Sequence, residues 1–151
     1  MQDRNSNLNK IQLDDHLSVS SQITADDVAL LAQQGVVCII NNRPDGEDEG
    51  QPESDAIKAA CEEHGIDYFF IPAVDRNMTD SAIESFNEAM DAYDEPIHAY
   101  CRSGTRCSIL WSFSQARDKD VNDILAVAAQ HGYDLSSSKE ALEKFRDEYN
   151  S

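Results

Sequence analysis

Short apolar segments recur along this chain, and a stretch with helical periodicity follows each. Residues 16–20 alternate apolar and polar side chains, with Leu17 and Val19 on one face, and predict a first strand at the edge of a sheet. Val36, Val37, Cys38, Ile39 and Ile40 make a continuous, largely β-branched run, the mark of a strand buried on both faces. Residues 68–71, broken by Pro72, and the short run that starts at Pro96 and delivers Cys101 read as two more strands. Between them the first helix covers 25–34, with Val28, Leu31 and Ala32 on one face. Thr24 and Asp27 open it as a capping box with Asp in place of the usual Glu or Gln, and Gly35 stops it. Ser54 caps a second helix, which ends at His64-Gly65. Thr79 or Asp80 caps a third, whose apolar face carries Ile83, Phe86, Ala89 and Met90. Three further helical patterns follow Cys101, over 107–117, 120–130 and 137–149, punctuated by Gly132 and by Ser136-Ser137-Ser138.

Strand and helix thus alternate three times before a fourth strand, a loop and a helical tail. That order predicts an α/β domain with a mostly parallel sheet covered by helices. In such sheets ligands bind beyond the carboxyl ends of the strands. Three loops meet that description, 41–50, 72–79 and 101–106, and they are expected to converge. Residues 1–12 are polar and aperiodic and read as a flexible arm. Residues 13–151 read as a single domain, and a 151-residue chain can bury roughly 70% of its unfolded surface without staples.

Charge narrows the partners. With 29 acidic against 12 basic side chains the formal net charge is −17, which disfavours nucleic acid, whose affinity depends on basic groups neutralising phosphates. No apolar run approaches a membrane span, and the polar first residues do not form a signal peptide. The four cysteines contain no Cys-x-x-Cys pair and, with the four histidines, no zinc spacing. Cys38 and Cys61 fall within a predicted strand and helix and are expected to be buried thiols. A reduced, cytoplasmic protein fits this usage best, with an export signal removed ahead of this chain as the alternative.

The chemistry concentrates where the fourth strand ends. Cys101 is followed by Arg102, Ser103, Gly104, Thr105 and Arg106, and then a helix opens. A loop wrapping from a strand end to a helix N-terminus turns several backbone N–H groups and the positive end of the helix dipole into one bowl. Such a bowl stabilises a thiolate and binds a tetrahedral oxyanion. Cys101 would lie at its floor, with Arg106 offering a planar fork to two oxygens of a small anion. Ser103 and Thr105 can hydrogen-bond the thiolate or the loop, while Arg102 is expected along the rim. A plainer alternative is a core thiol ending a strand, followed by an ordinary turn. Cys and Arg together supply nucleophile and charge, so no metal or organic cofactor is implied.

Cys-Arg-Ser-Gly-Thr-Arg resembles two signature loops. The protein-tyrosine-phosphatase superfamily places five residues between Cys and Arg; rhodanese sulfurtransferases commonly place four, as here, and often begin Cys-Arg-Ser-Gly. Ser21-Gln22, the run from Val36 to Asn41 with Arg43-Pro44, and Ile71-Pro72 join this loop in a broader resemblance, to the β-lactamase-hydrolase-like family with its phosphatase-like domain. It extends from about Leu17 to Phe113. The resemblance implies a dual-specificity-phosphatase-like, three-layer domain with a four- to five-stranded sheet between helices. It also implies that Cys101 attacks phosphorus and forms a thiophosphoryl enzyme, that the loop amides and Arg106 stabilise the transition state, and that Asp75 protonates the leaving oxygen. Arg43 would add positive charge at the pocket mouth or pair with Asp45 or Glu47 in its own loop. Asp75 is otherwise a solvated loop carboxylate.

Three departures separate the chain from the phosphatase pattern. Tyr100 replaces the usual His before the cysteine, with His98 two residues too early. Cys107 stands where Ser or Thr follows the arginine. The loop is also one residue short. Phosphomonoester hydrolysis is the first expectation. The alternatives are a rhodanese-like sulfurtransferase, carrying a persulfide on Cys101 from a thiosulfate-type donor with Cys107 as resolving or packing thiol, and an anion-binding module without turnover. The oligomeric state is left open.

Overall fold

The computed structural model describes residues 8–151. Its five-stranded sheet has the order β1-β2-β5-β3-β4, from β1 (Ile11–Gln12), β2 (Leu17–Ser20), β3 (Cys38–Asn41), β4 (Asp67–Phe70) and β5 (Ile97–Tyr100). Only the β1–β2 pair is antiparallel. The α/β class and the mostly parallel sheet expected from the alternation are therefore present. The element predicted as an edge strand is not at the edge, because β1 pairs Ile11 with Val19 and covers it. A two-residue strand is too short to carry a period, which is why residues 11 and 12 read as arm. The rest of the expected arm, residues 1–7, lies outside the described residues.

Side-chain alternation sends the two faces of the sheet into two cores. Ile39 and Tyr100 face one layer, where Val28, Leu31, Ile57 and Cys61 come from α1 (Ala25–Gln33) and α2 (Ser54–Glu63). Cys38, Ile40, Ile97 and Ala99 face the other. That layer is built by α3 (Asp80–Ala92), α4 (Thr105–Gln115), α5 (Val121–Gln130) and α6 (Lys139–Tyr149), the last preceded by a 3-10 turn at Ser136–Ser138. Burying a Leu, Ile or Phe contributes about 1.5–3 kcal/mol each, so these two layers are what hold the sheet.

The caps explain the helix starts. Thr24 and Asp27 form the expected reciprocal box, at 2.9 and 3.3 Å. Thr79, rather than Asp80, caps α3 through the Ala82 amide. Ser54 does not cap α2: it is the first helical residue, and its amide donates to Asp45 Oδ1 at 2.7 Å, so the cap comes from the preceding loop. Helix α4 begins at Thr105, two residues before the expected start, because Gly104 at φ +90° is its N-cap.

His98 sits fully buried between Ser18 Oγ and Ser20 Oγ, at 2.7 and 2.8 Å, on the sheet face away from Ala99. Burial pushes its pKa down to about 3, so it is a neutral core polar group. Among the described residues no helix is long and apolar enough to cross a membrane.

Candidate active site

Strand β5 is central, between β2 and β3, so the loop that follows it opens in the middle of the sheet's carboxyl edge. Cys101 is the first residue past that strand and is fully buried. The Gly104 N–H donates to its sulfur at 3.1 Å. The Cys107 thiol lowers the Cys101 pKa most, followed by the amides of Cys107, Ser103 and Arg106, against a desolvation cost that raises it; the result is about 5. Below the usual thiol value by this much, Cys101 is a thiolate at neutral pH. Cys107 is driven the other way, well above its ordinary value, by burial and by the sulfur it serves. The departure from Ser or Thr at position 107 thus keeps a hydrogen-bond donor at the same place.

Arg106 closes the bowl, and its guanidinium is held by two other loops. Nη1 donates to Glu47 Oε2 at 2.7 Å and to the Ala73 carbonyl at 2.5 Å; Nη2 donates to Glu47 Oε1 at 2.9 Å. The three loops predicted to converge do so at this one side chain. A guanidinium has five N–H groups, of which Glu47 and Ala73 take three. The Nε–H and the second Nη2–H remain, and they share one edge of the plane, a side-on fork that fits two oxygens of an anion. Hydrogen bonding to Glu47, and after it the charge of the Cys101 sulfur, raises the Arg106 pKa. Hydrogen bonding to Arg106, and next to Arg43, holds the Glu47 carboxyl at about 2, so this brace is charged throughout the neutral range.

The sequence offers Glu47 as an alternative partner of Arg43 and gives no sign that it also braces Arg106. It is one of four carboxylates in the 41–50 loop, with Asp45, Asp48 and Glu49, and nothing local distinguishes it. Arg43 does not add free charge at the mouth. It is 4% exposed, and its nitrogens donate to Glu47 at 3.0 Å, Gln22 at 3.0 Å and Asp48 at 2.6 Å. Its role is to hold the carboxylate that holds Arg106. The alternative pairing with its own loop is therefore what is found, to Glu47 and Asp48 rather than to Asp45.

The other expected residues divide. Arg102 runs along the rim, with its side chain 63% exposed and Nε 3.2 Å from Asp48. Ser103 and Thr105 hydrogen-bond each other, at 3.0 Å between hydroxyls, and brace the loop. Asp75 is exposed, on the loop whose Ala73 carbonyl holds Arg106. Its Oδ1 accepts the Asn77 amide at 2.8 Å, and its next neighbour Arg76 ties the loop to the Asp134 carbonyl and the Ser137 hydroxyl, both at 3.2 Å. The arrangement can ionise a thiol and orient an anion over it.

Comparison with known proteins gives a family and a fold. The family model described as the beta-lactamase hydrolase-like protein, phosphatase-like domain, matches residues 10–118. Among curated relatives, the beta-lactamase hydrolase-like protein of Xylella fastidiosa (strain 9a5c) is 32% identical over 136 residues, which is 89% of this chain and 32% of that protein. The protein of that name from Agrobacterium fabrum is 34% identical over the same length, again 89% of this chain and 32% of the relative. The chain spans about a third of the length of these relatives. In three dimensions it is similar to a "putative phosphatase" of Neisseria meningitidis Z2491, at TM-score 0.77 and 37% identity, covering 89% of this chain and 96% of that one. PTPMT1, at TM-score 0.78 and 13% identity over 93% of this chain and 96% of its own, shares the protein-tyrosine-phosphatase fold.

Proposed function

Because the chain belongs to the phosphatase-like domain family of beta-lactamase hydrolase-like proteins, we propose that it is a cysteine-dependent phosphatase acting on small phosphomonoesters. The described residues act as one catalytic unit in this reading. The observation that carries it is the Cys101 sulfur held by the Gly104 amide at 3.1 Å in the same loop as Arg106, whose Nε–H and second Nη2–H are not taken by Glu47 or Ala73.

The substrate phosphate would settle in the bowl, two of its oxygens on the Arg106 Nε–H and Nη2–H. The Cys101 sulfur attacks phosphorus as the bond to the leaving oxygen breaks, and Asp75 gives that oxygen its proton. Equatorial oxygens gain charge at that moment, and the loop amides, already oriented, stabilise it without rearranging. Water then hydrolyses the thiophosphoryl enzyme, returning the proton to Asp75 and releasing phosphate. Glu47 and Arg43 touch neither sulfur nor substrate; they fix the plane of Arg106. The sulfurtransferase alternative draws no support from the family or from the matching folds.

Turnover of a generic aryl phosphate tests the proposal. Cys101→Ser should abolish phosphate release, by about 10³-fold or more, and Asp75→Asn should slow it by about 10²- to 10⁴-fold. Wild-type levels in the Cys101 variant would end the reading. Unchanged turnover in the Asp75 variant would remove Asp75 alone from the mechanism.

A further inference from the structure

We propose that Tyr133 is a positioning residue of the Cys101 loop: its hydroxyl latches the peptide between Ser103 and Gly104 in the orientation that aims the Gly104 N–H at the Cys101 sulfur. The inference deepens the proposed function and rests on it, because it concerns the same anion loop.

A trans peptide is planar, and its C=O and N–H point in opposite directions. Here one unit carries both halves of the argument. Its N–H, on Gly104, points into the bowl at the sulfur, 3.1 Å away. Its C=O, on Ser103, points out and accepts from the Tyr133 hydroxyl at 3.3 Å. Holding the carbonyl outward holds the amide inward. The opposite orientation, reached by rotating this plane, would turn a carbonyl oxygen onto the thiolate and onto any bound anion.

That rotation is easy at this position. It changes ψ of Ser103 and φ of Gly104, and a glycine has no Cβ to oppose either setting. Gly104 sits at φ +90°, where an L side chain is strained. The following peptide is already tied, since the Gly104 carbonyl accepts from the Ser108 amide at 3.0 Å and the Ser108 hydroxyl at 2.8 Å. Tyr133 is the group that reaches the preceding one.

The fit between Tyr133 and Gly104 is close. A Cβ at position 104 would lie 2.3 Å from the Tyr133 hydroxyl oxygen and 3.1 Å from its Cζ, so the ring tip rests on the face that glycine leaves bare. Tyr133 is itself fixed. Two residues past helix α5 stands Gly132 at φ +92°, whose amide donates to the Ala129 carbonyl at 3.0 Å, while the Tyr133 amide donates to the Ala128 carbonyl at 2.9 Å. This pair of bonds is a Schellman motif, which sets the direction in which Tyr133 leaves the helix. The ring is 8% exposed, and burial raises its pKa to about 12, so the hydroxyl keeps the proton it donates. A loop one residue shorter than the phosphatase pattern has one amide fewer, which makes the orientation of each remaining amide count for more.

The test uses the full chain with Tyr133→Phe, which removes only the hydroxyl, and Tyr133→Leu, which also removes the ring. Iodoacetamide labelling of Cys101, mapped by mass across pH, reads the thiol without any turnover, so the result stands whether or not the chain hydrolyses phosphate. Inorganic vanadate serves as the anion probe. Both variants should move the labelling midpoint up by about half a pH unit or more, and weaken vanadate about three- to tenfold. A folded Tyr133→Phe protein with a wild-type midpoint and wild-type vanadate affinity overturns the latch, leaving Tyr133 as packing alone. If Tyr133→Leu does not fold, Tyr133→Phe decides the matter by itself.

Discussion

Cys38, within β3, and Cys101, just past the end of the neighbouring β5, are both fully buried thiols, yet their pKa values move in opposite directions. Cys38 lies within β3, beside Asp67 and Cys61, and desolvation followed by the Asp67 charge pushes it up to about 12. Cys61, inside α2, is raised to about 12 by burial and by Glu62. Cys101 stands one residue past the end of β5 and is held at about 5. Burial is common to all three, so burial does not decide reactivity. Within β3 and α2 the nearby backbone N–H groups are committed to the strand ladder or the helix. Past the end of β5 the Cys107 thiol, and after it the amides that the turn frees, act on one sulfur. The difference is one of unspent donors.

That contrast can be broken most directly by alkylation at pH 7. Iodoacetamide should modify Cys101 at least about a thousandfold faster than Cys38 or Cys61, since a thiol near 5 is almost wholly ionised and one near 12 almost wholly protonated. The sign with pH follows: labelling of Cys101 should rise through pH 5 and level off, whereas labelling of the other two should still be climbing at pH 9. Comparable rates at all three sites would show that the loop donors do not act on the sulfur.

A smaller effect separates nucleophile from anion site. Glu47→Gln removes the charge that braces Arg106 while leaving the thiol donors in place. Aryl phosphate turnover should fall up to about a hundredfold through misplacement of the guanidinium, with the Cys101 labelling midpoint moving by much less. Equal losses in both would mean that Glu47 supports the whole loop rather than Arg106.

The finest distinction concerns Cys107. Cys107→Ala deletes the largest contribution to the Cys101 shift and should raise its labelling midpoint by about one to two pH units. Cys107→Ser, which restores a donor, should return most of it. An unchanged midpoint in the alanine variant would assign the thiolate to the backbone amides alone.

Much of this is legible in the amino-acid sequence. The β-branched run around Ile39, the Thr24–Asp27 box, the strand ending at Cys101 and the Gly-containing turn into a helix are local patterns. Each depends on residues within four positions of one another, where period and hydrogen bonding are set by the chain itself. The parallel sheet followed from the alternation of strands and helices, and the meeting of three loops from the rule that ligands sit at carboxyl edges. The two-residue β1 was not legible, because it forms only by pairing with β2.

What only the tertiary structure decided is which partners the local pieces find. Arg106 meets Glu47 and Ala73 because β5 is inserted between β2 and β3, bringing together loops 59 and 33 residues away from it. Arg43, expected at the mouth, is turned inward onto Glu47 and Asp48 by the same convergence. Tyr133 reaches Ser103 across 30 residues through the packing of α5 behind the loop. The Cys-to-Arg segment carries the nucleophile, the glycine and the guanidinium in its own letters. The selection of one carboxylate among four, and of one tyrosine among five, belongs to long-range packing, because residues distant in sequence meet only after strand order is set.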